Sequence, residues 1–484
     1  MRTTMNQCLR PPACCSFRYV LSIILVVSGF AGCSRLTAQP DARPSPRPNV
    51  ILLVADDMGY GDSTLFWKNT ELETPTMAAI ARQGIRFTQF RVNPLCSPTR
   101  SSLMTGQYSL ENGMWRGAND ANAPAAGKAE RDNVRRFKDD VVLLPQLLKA
   151  AGYTTGAFGK WHLGNDAKNL PNARGFDEFV GFIGGSHAYR LGRNSKIFHN
   201  GKPYDASGQH TTDLFADQAI AFIKANQAHP FFCYVPFNAV HGPMRSAERA
   251  FDSAKPEWLE KYEKLGVAQP RRDYCAVMSH ADARAGDILQ TLRDLGLEGN
   301  TLVIFISDNG GILHTYPSNN GPLRGGKGDT YEGGIRVPAV MQWPGVIPPN
   351  SVSHESAVHF DIFTTILAAT GTPVPAKNGT FPVHSVNLVP LLRAPAATKL
   401  PDRYLFWDLY GDVAALHGPW KMVGQISNHH GKFANAVREA EAAKFALFNL
   451  DDDLGEKNDL ADTRPEIYRD LKTRHLDWLR QFAK

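Results

Sequence analysis

At 484 residues the chain is too long for one small hydrophobic core, and it predicts a large domain with a smaller partner. Its 43% hydrophobic and 21% charged residues are ordinary for a globular enzyme. The net charge of +6 sits almost wholly in the first 48 residues, where six arginines face Asp41 alone. The other 436 residues carry a net of +1, which argues against a nucleic-acid-binding face.

The leader starts with arginines and has an apolar run from Tyr19 to Phe30, too short to span a bilayer comfortably but suited to a signal-peptide core. Ala31-Gly32 then runs into Cys33 as at a bacterial lipoprotein processing site, although Phe30 stands where Leu, Val or Ile is usual; cleavage near Ala38 is the alternative. Residues 1–33 therefore predict a signal peptide and 34–48 a Pro/Arg-rich tether. Export follows, to the periplasm, to the outer membrane on an N-terminal lipid (the one membrane contact expected), or into the medium. Of seven cysteines, Cys8, Cys14 and Cys15 leave with the leader. Cys33, Cys96, Cys233 and Cys275 are too few for a disulfide framework, and whether Cys233 and Cys275 pair stays open.

Asn49–Val54 is a continuous apolar run, the mark of a strand buried on both faces, and it delivers Asp56-Asp57. Residues 75–84 predict a helix. In Asn93-Pro94-Leu95-Cys96-Ser97-Pro98-Thr99-Arg100, Ser97 fits an N-cap and Pro98 a first helical position. That sets Cys96 at the positive end of a helix, a seat for an oxyanion, with Arg100 one turn inside. Residues 117–136 lack periodicity and predict a surface loop. Residues 141–152 predict a helix and 153–159 a strand leading into Lys160-Trp161-His162. On an extended segment those two polar side chains share a side. A helix at 212–227 and a strand at 230–236 lead to Asn238–His241, and an amphipathic helix at 281–296 precedes the strand Thr301–Ser307. That strand ends in Asp308-Asn309. Two strand ends each delivering a pair of hard oxygen ligands suit Ca²⁺, with Mg²⁺ the alternative. The βαβ rhythm predicts an α/β fold with a large, mostly parallel central sheet flanked by helices over residues 49–400. Beyond residue 400 the pattern changes to short strands at 404–409, 413–416, 420–423 and 445–449, with a closing helix at 465–482. Residues 401–484 thus predict a smaller antiparallel α+β subdomain.

Cys96-Ser97-Pro98-Thr99-Arg100, with Leu103, Thr105 and Gly106 behind it, resembles the C-x-P-x-R signature of type I sulfatases. Gly159–Gly164 resembles their G-K-W-H-x-G, His241 with Pro243 their H-x-P, and Arg324–Gly334 their R-G-x-K-x-x-x-x-E-G-G. Asp453–Leu460 resembles their D-P-x-E-x-x-N-L turn, with Leu454 in place of proline. The likeness runs from about Pro48 to the C-terminus and implies an alkaline-phosphatase-like fold. It implies Asp56, Asp57, Asp308 and Asn309 as metal ligands. It also implies Cys96, oxidised to Cα-formylglycine by a formylglycine-generating or an anaerobic sulfatase-maturating enzyme, as the nucleophile. Arg100 would steady the hydrated aldehyde and Lys160 and Lys327 would bind sulfate. His241 or Lys327 would help the leaving alcohol, and His162 would serve as the base that expels sulfate.

The function implied is hydrolysis of sulfate esters, on a sulfated saccharide or an aryl sulfate. The alternatives are a phosphodiesterase or phosphonate monoester hydrolase of the same superfamily, and a non-catalytic carbohydrate-binding relic. Asn93–Cys96 and Asn320-Gly321-Pro322 resemble the arylsulfatase and N-acetylgalactosamine-6-sulfatase branch, which points to sugar sulfates. Trp115, Arg116, His187, Tyr189, Arg190 and His314 are candidate sugar contacts, each with a scaffold role as the alternative.

Overall fold

Thr301–Ser307 and Phe231–Pro236 flank the apolar strand Asn49–Ala55 on either side, both parallel to it. All three are buried along their whole length, as their unbroken apolar sequences require. This computed structural model describes residues 47–116, 136–242, 254–313, 317–427, 429 and 431–483. The leader with Cys33, the tether up to residue 46, residues 117–135, Pro243 and His314 lie outside the described residues.

The central sheet has ten strands in the spatial order Ser351–Ser353, Ile85–Phe87, Ala339–Gln342, Thr301–Ser307, Asn49–Ala55, Phe231–Pro236, Thr154–Lys160, Glu178–Phe182, Phe198–His199, Lys202–Pro203. Thr301–Ser307 through Glu178–Phe182 form an unbroken parallel block. Antiparallel strands flank that block. Helices Pro75–Gln83, Thr211–Ala225 and Arg271–Asp294 pack a hydrophobic core on one face. Helices Cys96–Thr105, Leu144–Ala150 and Asp361–Ala369 cover the other. The strands Ile85–Phe87, Ala339–Gln342 and Ser351–Ser353 are only three or four residues long, too short for a periodicity reading.

Leu405–Leu409, Asp412–His417, Trp420–Gln425 and Ala446–Asn449 form a four-stranded antiparallel sheet, closed by helix Pro465–Arg480. Helix Phe433–Ala442 is an element the sequence did not announce. The helix expected from residue 281 begins ten residues earlier, because Tyr274, Cys275, Val277 and Met278 continue its buried stripe. Cys96, Cys233 and Cys275 are free, so the Cys233–Cys275 question is answered: they do not pair.

Candidate active site

Strand register builds the site. Ala55 pairs with Ser307, so the next residues, Asp56-Asp57 and Asp308-Asn309, emerge side by side at the carboxyl edge of the parallel block. The neighbouring strand Phe231–Pro236 aims its following loop, with His241, at the same edge, and Thr154–Lys160 ends on Lys160. Asp57 adopts a left-handed backbone (φ 68°), and its N–H donates to Asp308 Oδ1 at 3.2 Å.

Helix Cys96–Thr105 brings Cys96 Sγ to 3.5 Å from Asp56 Oδ1 and 3.9 Å from Asp57 Oδ1. Here one expectation is corrected. The helix starts at Cys96 itself, and Ser97 is not its cap, because its hydroxyl donates to the His162 carbonyl at 2.9 Å. Arg100, fully buried, donates from Nε to Asp308 Oδ2 at 2.9 Å, and its Nη2 makes ion pairs with Asp308 Oδ2 at 2.7 Å and Asp56 Oδ1 at 3.7 Å.

Two ammonium groups close the pocket. Lys160 Nζ lies 2.6 Å from Asp56 Oδ2, and Lys327 Nζ lies 2.6 and 2.9 Å from the two Asp57 oxygens. Lys327 rides on a loop held by its own N–H to the Gly311 carbonyl (3.1 Å) and by Gly328 N–H to the Pro94 carbonyl (2.8 Å). A side chain at Gly310 would strike the Gly333 carbonyl, so a glycine there lets the Asp308 and Lys327 loops touch backbone to backbone.

His241 Nε2 stands 3.8 Å from Asp57 Oδ2, while Nδ1 bonds the Gly242 carbonyl at 2.7 Å. A carbonyl only accepts, so Nδ1 carries the proton and Nε2 faces the pocket as a lone pair. Burial, aided by Lys327, pushes the imidazole down to about 3. His162 is the second correction. The strand ends at Lys160, and a φ of 53° at His162 breaks the extended run expected to carry both residues. Its ring rests against Gly185 at the pocket rim.

Burial, then the Asp308 carboxylate, push the Asp56 carboxyl up to about 7 against the pull of Lys160 and Arg100. Burial also works on Asp57, but Lys327, with His241 and Lys160, outweighs it and holds that carboxyl well below the usual range. Burial and Asp308 push the Cys96 thiol up to about 12, so the residue as it stands is no thiolate.

The donor set fits a hard divalent cation. Asp56, Asp57, Cys96 and His241 each present a ligand atom within 4.8 Å of the others, with Asp308 one hydrogen bond away. Asn309 gives its amide N–H to Asp57 Oδ1 at 2.7 Å, yet its buried Oδ1 has no hydrogen-bond partner among the described residues. An orphaned buried carbonyl oxygen beside three carboxylates is what a cation would satisfy. A second group, His210, Asp213 and His280, offers a single carboxylate, paired with Lys255 (2.8 Å) and Arg284 (3.6 Å), and two imidazoles, a poorer set for a hard cation.

Supporting residues lie beyond the motifs. Tyr189 is buried and its hydroxyl donates to the carbonyls of Asn238 (3.1 Å) and His241 (2.9 Å), so it braces His241 and is no sugar contact. Asn320 clamps two loops, accepting from Gly311 N–H at 2.9 Å and donating to the Gly311 and Gly325 carbonyls at 3.0 Å. Trp115 and Arg116 are buried, Trp115 stacked on His429 and Arg116 over Trp115. A turn-forming asparagine and a tyrosine after a loop have many uses, which is why sequence gave no signal for these roles.

Cys96, the carboxylates of Asp56, Asp57 and Asp308, and two fixed ammonium groups thus meet at one sheet edge, an arrangement suited to a compact oxyanion ester. The family model described as Sulfatase matches residues 48–372. N-acetylgalactosamine-6-sulfatase of Sus scrofa is 35% identical over 419 residues, spanning 82% of this chain and 74% of that protein. A sulfatase of Formosa agariphila is 28% identical over 498 residues, spanning 89% and 87%. The crystal structure of Ps i-CgsB in complex with k-i-k-neocarrahexaose superposes with a TM-score of 0.74 at 28% identity, covering 90% of this chain and 93% of that one. The chain belongs to the sulfatase family of the alkaline phosphatase superfamily, and it is a sulfuric ester hydrolase.

Proposed function

We propose that the protein removes sulfate from sulfated saccharides, with Cys96 converted to formylglycine by a maturation enzyme, and with Ca²⁺ or Mg²⁺ held by Asp56, Asp57, Asp308 and Asn309. The observation that carries this is the placement of Cys96 Sγ within 4 Å of both Asp56 and Asp57, with Lys160 and Lys327 on the same two carboxylates. The sugar assignment rests on the N-acetylgalactosamine-6-sulfatase relatives and on the carbohydrate-bound neighbour.

Bound there, the cation supplies charge neutralisation for the sulfate oxygens and a lowered pKa for a hydroxyl. A hydrated aldehyde at residue 96 supplies the attacking oxygen and a second hydroxyl through which sulfate is later expelled. Lys160 and Lys327 would bind the remaining oxygens of the ester. Burial opposes charge on Lys327, but Asp57 holds its proton firmly, which suits it to hydrogen-bond the departing alcohol oxygen. His241, neutral with its Nε2 lone pair inward, has no proton on that nitrogen to donate. That makes Lys327 the better donor of the pair. His162, at the rim beside Ser97, is the proposed base for the second step. Arg100 holds Asp308 and Asp56 in place from beneath.

Residues 49–400 carry the chemistry in this reading and 401–484 brace it. Export is carried by the leader's own residues, and no helix among the described residues is long and apolar enough to cross a membrane. The test is a peptide mass across residue 96 combined with sulfate release. Active protein is expected to carry formylglycine there, and Cys96→Ala to be folded and inert. A fully active preparation holding only cysteine at 96 would refute the nucleophile assignment.

A further inference from the structure

A cavity of about 790 Å³ runs along the outer edge of the central sheet, beside the strand Glu178–Phe182. That volume lies within the roughly 300–1,000 Å³ typical of small-molecule sites and leaves room for more than one sugar ring. Its wall nearest the catalytic pocket is the loop 183–189, which both sites share. The Ile183 carbonyl accepts from His162 N–H at 3.1 Å. Gly185 lies so close that a Cβ on it would come within 2.8 Å of the His162 ring, so only glycine lets that ring seat against the loop. Farther along, Asn238 donates to the His187 carbonyl at 3.3 Å and Tyr189 to that of His241 at 2.9 Å. One loop thus contacts the supports of both histidines from one side and bounds the cavity from the other.

The lining is of one chemical kind. Half-buried apolar faces come from Leu170, Ile183 and Phe198, while Asn165, Asn194 and Lys196 stand exposed around them. Flat apolar surface suits the C–H face of a sugar ring, and primary amides suit hydroxyls, donating and accepting at once. With Lys196 the sole lysine or arginine in the lining, the cavity does not suit a polyanion but tolerates one further sulfate or carboxylate. The sulfate-gripping charges all lie on the other side of the shared loop.

We propose that this cavity is a saccharide subsite that holds the one or two units next to the sulfated residue. The natural substrate is then an oligosaccharide bearing few charges outside its scissile sulfate. This rests on the reading of the pocket as one for sugar sulfates and specifies the chain length it serves.

The experiment compares kcat/KM on an aryl sulfate, a monosulfated monosaccharide and the matching tetrasaccharide, for the matured enzyme and two variants. Ser195→Trp fills the cavity from the segment 194–196, outside the shared loop, and Asn194→Ala removes an amide that carries no other hydrogen bond among the described residues. The native enzyme should prefer the tetrasaccharide over the monosaccharide by at least about tenfold. Ser195→Trp should erase that preference while leaving the two small substrates within about twofold of native. Asn194→Ala should cut it by about 2- to 10-fold, the worth of one hydrogen bond. Calorimetry with the desulfated tetrasaccharide reads the subsite without turnover, and binding should vanish in Ser195→Trp. Absence of sulfatase activity with that binding intact would sink the catalytic reading and spare the subsite. Rates indifferent to chain length, or equal losses on all three substrates, would overturn the subsite alone.

Discussion

Lys421→Met tests a buried joint between the C-terminal sheet and the short helix Glu332–Ile335. Lys421 Nζ sits 3.1 Å from Glu332 Oε1 and 2.9 Å from Glu456 Oε1, and all three side chains are fully buried. Glu332 keeps a second partner, with Arg91 NH2 at 2.9 Å, but Lys421 is the cation beside Glu456. Glu456 in turn accepts from Glu332 N–H at 2.7 Å, and its carbonyl accepts from Arg324 at 2.7 Å, which anchors the loop that carries Lys327. Methionine keeps the apolar stem and removes the charge. Breaking a buried pair from one side costs about 3–5 kcal/mol. With an unfolding entropy of roughly 2.1 cal/mol/K per residue over roughly 440 residues, a loss of about 4 kcal/mol lowers Tm by about 4 °C.

The sign of the pH dependence is fixed. Burial, foremost, already raises the Glu456 carboxyl above its ordinary 4.5, and loss of Lys421 raises it further. The folded variant then holds a proton that the unfolded chain releases, so its stability falls as pH rises through the folded value. The deficit against native should therefore be larger at pH 8 than at pH 5 in thermal melts. Adding Glu456→Gln removes the uncompensated charge, keeps an acceptor for Glu332 N–H, and should recover most of the loss and flatten its pH dependence. A loss under about 1 kcal/mol, or a Gln that deepens it, would refute this account.

Three other outcomes follow from the site and the core. Asn309→Ala should lower metal retention on dialysis against chelator by at least about tenfold, as lost metal-site contacts do, with little change in the Tm of the metal-free protein. Lys327→Ala should slow sugar sulfates by about 10²–10³ and aryl sulfates far less, since an aryl oxide stabilises its own charge. His162→Ala should instead give a burst of alcohol followed by slow turnover, and equal losses without a burst would reverse these assignments. His475 is buried and neither ring nitrogen has a partner among the described residues, and burial pushes it down to about 4. Its contribution is intact above the unfolded value near 6.5 and lost as pH falls through 4, about 3 kcal/mol in all. His475→Phe should remove that part of the acid sensitivity in denaturant titrations at pH 7 and pH 4.

The sequence by itself determined which polar residues meet at the sheet edge and the strands that present them. Continuous apolar runs such as Asn49–Val54 and Thr301–Ser307 can only be strands buried on both faces, and the polar pairs behind them have nowhere to go but the carboxyl edge. Cys96, Lys160, His241 and Lys327 were legible because they stand in long motifs. What it could not decide were matters of direction and distance. The left-handed turn at His162 breaks the extended run expected after Lys160, and a histidine's mild preference for that conformation is too weak to announce it. Ser97 reads as a cap until a carbonyl 65 positions away claims its hydroxyl. The Glu332–Lys421–Glu456 joint unites charges that each look like solvated surface groups along the chain. Only packing the C-terminal sheet against the helix Glu332–Ile335 and the turn at Glu456 removes their water and makes them depend on one another.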